Sequence, residues 1–135
     1  MDYVFDACAL IAFLNDEAGA DTVSRLLSQI ETGSDRVFMS SIQALEVYYD
    51  RIYIRDREYA DTFLNSLYAS SIIILPEISR DIIRDAGRFK TSYAMSLADA
   101  IAAATTKNLG ATLVTKDEEI RAAEKAGEFS VLWLK

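Results

Sequence analysis

Short apolar runs and amphipathic helical stretches take turns along the whole chain, and that alternation restricts the fold more than any other feature. Strands are predicted over Asp2–Phe5, Arg36–Met39, Ser71–Leu75, Ala111–Thr115 and Phe129–Trp133. Between them, apolar residues recur at helical spacing over Ala9–Leu14, Ala20–Glu31, Ile42–Ile54, Tyr59–Tyr68, Ser79–Lys90, Leu97–Asn108 and Asp117–Ala126. Val23, Leu26, Leu27 and Ile30 mark one such face, and Gly33 stops that helix. Ser40 or Ser41, Ser79 and Ser96 stand where helix caps are needed, and Pro76 ends the third strand. Strands that alternate with helices need crossover connections, so the expected product is an α/β fold around a parallel sheet.

At 135 residues, 51% of them apolar, the chain suits one globular domain with its own core. No stretch is long and apolar enough to span a bilayer, and the first residues lack the pattern of a secretory signal. Cys8 is the only cysteine, which excludes an internal disulfide and fits a reducing, cytoplasmic setting.

Histidine is absent. A histidine general base, a Ser-His-Asp triad and a His-ligated zinc site are thereby excluded, and one cysteine cannot build a thiolate zinc site. A metal in this chain must be a hard cation held by oxygen, Mg²⁺ or Mn²⁺ first. The net charge of −7 has the wrong sign for a nucleic-acid binder, although cations bound to an acidic cluster invert the charge locally.

Four acids stand beside apolar runs, where a carboxylate is costly unless paired or metal-bound. Asp6 closes Tyr3-Val4-Phe5, Glu46 interrupts Ala44-Leu45-Glu46-Val47, Asp99 precedes Ala100-Ile101-Ala102, and Asp117 follows Leu113-Val114-Thr115-Lys116. Asp6 and Asp117 fall just past the carboxyl ends of two strands, the edge at which open α/β sheets bind ligands. All four can converge on one cleft only if the first and fourth strands are neighbours. Each also has an ordinary use. Asp6 and Asp117 fit helix caps, Ser96 and Asp99 fit a capping box, and Glu46 could pair with Arg51. Glu118 and Glu119 read as a solvated first turn. Cys8 reads as a small core residue, and Arg51, Arg55, Arg57, Arg80, Arg84, Arg88 and Lys90 as a solvated face. Lys116, beside the acids, suits a phosphate contact. Tyr48, Tyr49, Tyr53, Phe63 and Tyr68 suit helix packing or a dimer surface.

Asp6-Ala7-Cys8-Ala9-Leu10, Glu46 in its apolar setting, Ser96-Leu97-Ala98-Asp99-Ala100 and Leu113-Val114-Thr115-Lys116-Asp117 resemble the successive motifs of PIN-domain ribonucleases, most closely the VapC toxins of toxin–antitoxin systems. The resemblance runs from Asp2 to Trp133. It implies a three-layer α/β/α fold with a central, mostly parallel sheet of four to five strands. It further implies a Mg²⁺- or Mn²⁺-dependent endoribonuclease, an RNA substrate, a cognate antitoxin and a homodimer. The family's acidic positions fall on Asp6, Glu46, Asp99 and Asp117, and its supporting hydroxyl on Thr115. Cys8 stands where many members have a hydroxyl residue, and Gln43 where a threonine is frequent. Asp6 and Asp99 are the expected direct metal ligands, with Glu46 and Asp117 holding water or a second ion. Two other readings stand beside this one: an inactive PIN-like binding module, and a phosphotransfer domain with Asp6 as acceptor.

Overall fold

In the computed structural model, which describes residues Met1–Lys135, five strands form one sheet. They are β1 (Asp2–Phe5), β2 (Arg36–Ser40), β3 (Ile73–Leu75), β4 (Thr112–Thr115) and β5 (Ser130–Trp133). The order is β3-β2-β1-β4-β5, and every pairing is parallel. The expected four to five mostly parallel strands are therefore five, all parallel. Tyr3, Val4 and Phe5 pair with Thr112, Leu113 and Val114, so β1 and β4 are neighbours, the condition for the acids to converge.

Seven helices cover the sheet: α1 (Ala7–Leu14), α2 (Ala20–Glu31), α3 (Ser41–Ile54), α4 (Arg57–Ala69), α5 (Arg80–Ser92), α6 (Leu97–Leu109) and α7 (Arg121–Lys125). Adjacent strand residues point to opposite faces, and each central strand feeds two cores. Phe5, Val37, Met39 and Val114 pack with Leu10, Val23, Leu26 and Val47 on one side. Val4 and Leu113, together with the half-buried Phe38, pack with Phe89, Ala100, Ala103 and Ile120 on the other. The result is three layers, α/β/α. No helix is long and apolar enough to cross a membrane.

The helix α6 lies deepest. Residues Asp99 to Thr106 are all buried, and the small Ala100, Ala102, Ala103 and Ala104 let it sit close to the sheet. Thr105 and Thr106 satisfy their hydroxyls on the carbonyls of Ile101 and Ala102.

Three expectations are corrected. Asp117–Ala126 is not one helix but a 3₁₀ turn (Glu118–Ile120) running into the five-residue α7. Asp117 accepts the amide of Glu119, only two residues on, which winds the first turn tightly. Arg51 belongs to no solvated face. It is 2% exposed and donates to Asp50 and Asn15, so it is no partner for Glu46. Cys8 is half-buried, facing Asp6 and Thr115 rather than filling the core.

Candidate active site

The carboxyl ends of β1, β2 and β4 open into a cleft of about 300 Å³. Asp6, Glu46, Asp99 and Asp117 all line it, with Cys8, Gln43, Ser96 and Lys116. Four acids dispersed over the sequence thus meet at one sheet edge. Thr115, fully buried beneath, reaches Asp6 and the Asp117 backbone by hydrogen bonds.

Asp6 follows β1 and caps α1, its Oδ1 accepting the Ala9 amide at 2.9 Å. The Cys8 thiol donates to the same carboxylate at 3.1 Å, and the Thr115 hydroxyl donates to Oδ2. Three donors favour the ionised form, yet burial outweighs them and lifts the Asp6 carboxyl to about 6. Burial and the charge of Asp6 push the Cys8 thiol up to about 12, so it is a hydrogen-bond donor here and no nucleophile. Thr115 Oγ1 also accepts the Asp117 amide at 3.0 Å, tying two of the acids together through one hydroxyl.

Asp99 occupies the first turn of α6 without capping it. Ser96 does cap, its Oγ accepting the Asp99 amide at 3.1 Å. A capping box would return the Asp99 carboxylate to the Ser96 amide. That amide instead donates to Glu119 Oε1 at 3.0 Å, from a different element. Asp99 is released to face Asp117 and Glu119, and its Oδ2 is buried with no donor. One oxygen from each of Asp99, Asp117 and Glu119 lies within 4.8 Å of the others. Burial, then its two acidic neighbours, hold the Asp99 carboxyl far above the ordinary carboxylate range. Glu119 is held low by the Asp99 carboxyl and the Ser96 amide. Glu46, facing these from α3, is raised by partial burial and by Asp117, against a 3.4 Å hydrogen bond from the Tyr49 hydroxyl.

Sequence reasoning missed Glu119, which reads locally as a solvated acid favoured by a helix start. No local signal marks it, because its partner Ser96 lies 23 residues away. Gln43, whose amide binds two backbone groups, stands out in the sequence only as a departure from a pattern. Lys116 sits on the rim, its Nζ 2.6 Å from Glu17 Oε1.

An oxygen-only donor set with an unpartnered buried oxygen fits a hard divalent cation. Without a cation, like charges this close are relieved by protonation of Asp99. The sequence matches the PIN-domain family model over residues 3–126, and the chain belongs to that family. No curated protein matches it by sequence.

Solved structures of similar fold include VapBC2 from Rickettsia felis bound to a promoter DNA fragment, with a TM-score of 0.75 at 16% identity over 100% of both chains. VapBC-1 from nontypeable Haemophilus influenzae has a TM-score of 0.72 at 16% identity over 98% of each chain. Mycobacterium tuberculosis VapC20, a sarcin-ricin loop cleaving toxin, has a TM-score of 0.68 at 16% identity over 90% of this chain and 94% of its own.

Proposed function

We propose that this chain is a metal-dependent endoribonuclease, with Mg²⁺ or Mn²⁺ as cofactor, and the toxin of a toxin–antitoxin pair. The observation that carries the reading is the donorless Asp99 Oδ2, buried against Asp117 and Glu119 at the sheet edge of a PIN domain. In the metal-free chain the Asp99 proton bridges to these acidic neighbours, and a cation would replace it there. Asp6 is an unfavourable phosphoacceptor, being 3% exposed with both oxygens engaged.

Asp99, Asp117 and Glu119 would hold the ion, with Asp6 and Glu46 completing the acidic wall. A bound ion supplies a water of lowered pKa and charge stabilisation for the departing oxygen of an RNA phosphodiester. The chain's own residues prepare the site. Thr115 fixes Asp6 and the Asp117 backbone with one hydroxyl, and Cys8 holds the other side of Asp6. Asp99 keeps its proton until a cation takes its place. Lys116 offers the rim a positive charge that can leave Glu17 for a phosphate.

The cleft's charge also suits an inserted Arg or Lys from an antitoxin. Leu45, Tyr49, Tyr53 and Ile54 leave α3 with exposed apolar surface, which supports a homodimer. One such domain would span all 135 residues. The test is incubation of the purified chain with total RNA and Mg²⁺ or Mn²⁺, beside EDTA and Asp6→Asn. Asparagine still caps α1, so the variant should fold and lose cleavage. Cleavage by folded Asp6→Asn would refute the reading.

A further inference from the structure

We infer that Gln43 is a positioning residue, a neutral pin that sets the separation of the two main-chain segments carrying Asp6 and Asp99. Its side chain is 1% exposed, in the first turn of α3. The carboxamide is used at both ends. Oε1 accepts the amide of Ala7 at 2.9 Å, and Nε2 donates to the carbonyl of Ala98 at 2.8 Å. Ala7 directly follows Asp6, and Ala98 directly precedes Asp99. One rigid amide therefore spans from the start of α1 to the start of α6.

Two physical facts make this more than packing. The Ala7 amide is in the first turn of α1, where backbone N–H groups have no partner within the helix. Asp6 caps Ala9, not Ala7, so only Gln43 satisfies that buried donor. The cleft also holds at least five carboxyl groups, so a charged crosslink beside them would add to or cancel the field that a cation meets. A crosslink here must donate at one end and accept at the other without adding charge. Glutamine meets both requirements: a lysine or glutamate would lack one function and bring a charge. Glu46 lies three residues further along the same helix, so the pin fixes a third acid relative to the first two.

This rests on the metal reading above, and the test separates the two. Gln43→Met keeps length and volume but loses both hydrogen bonds. Val47→Ala, in the same helix, opens a core cavity at a residue that does not line the cleft. Two quantities are measured for each: exchange of the Ala7 amide in metal-free protein, and the Mn²⁺ dissociation constant from the signal of free Mn²⁺ in electron paramagnetic resonance. Gln43→Met should speed Ala7 exchange by about tenfold. It should raise the Mn²⁺ dissociation constant by roughly 10–100-fold, while Val47→Ala leaves it within about twofold. If Gln43→Met does not fold, Gln43→Asn, polar but one methylene short, should give the same pair of effects. Unchanged Ala7 exchange and Mn²⁺ affinity in the Gln43 variant, or an equal loss in Val47→Ala, would overturn the inference. A wild-type chain that binds no Mn²⁺ defeats the metal reading instead, and the pin then stands or falls on Ala7 exchange alone.

Discussion

At Asp99, burial and two acidic neighbours act in one direction, and the carboxyl keeps its proton where free carboxyls have lost theirs. Folding above the carboxylate range therefore takes up a proton and is opposed by it. Asp99→Asn places a neutral donor against Asp117 and Glu119 with no proton to acquire. The expected outcome is a higher unfolding temperature than wild type at pH 8 without metal, together with lost RNA cleavage. Calorimetry and the RNA assay check the two halves. The acids were legible in sequence because a carboxylate beside an apolar run has few inexpensive explanations. Glu119 and Arg51 were not, because what places them is tertiary. Glu119 answers an amide in α6's cap, and Arg51 is buried by hydrogen bonds to its neighbour Asp50 and to Asn15.

Among the elements, the strands and most helices followed from periodicity alone, since the alternation of faces in β1 and β4 matches two cores. Strand order did not follow. Pairing of β1 with β4 depends on crossovers that the sequence permits and only the fold selects. The start of α2 is another such place. Gly19, at its N-terminus, has φ +95°, and an added Cβ would lie 2.6 Å from Leu134 Cβ. Gly19→Ala combines a left-handed backbone with a collision against the segment after β5. It should lower stability by about 2 kcal/mol, measured by urea unfolding. A change within the scatter of surface substitutions would contradict the close approach.

For the whole molecule, two sets of carboxyls set opposite pH dependences. Arg88, Tyr93 and Lys107 surround Glu128 and hold it down at about 2, against an ordinary value of 4.5. That stability is present above 4.5 and is lost as pH falls toward 2. Asp6, raised from 3.8 to about 6, acts the other way, as do Asp99 and Glu46. Their burial costs nothing below the ordinary carboxylate range; the cost grows as pH rises above that range, levelling off past about 6 for Asp6 and continuing beyond for Asp99. Metal-free protein should therefore be most stable at mildly acidic pH, near 4 to 5. A divalent cation, which competes with those protons, should move the optimum upward. Thermal unfolding across pH with and without Mn²⁺ checks the sign. An apo optimum above neutrality would mean the cleft acids are ionised at no cost.

Acids at the sheet edge that form a metal centre must respond to a Mn²⁺ titration of the unfolding temperature near pH 7.5. A ligand bound only by the folded chain raises that temperature with its concentration. The wild-type temperature should climb with Mn²⁺, while that of Asp99→Asn stays flat. A wild-type chain whose unfolding temperature ignores Mn²⁺ would mean that these acids hold no metal.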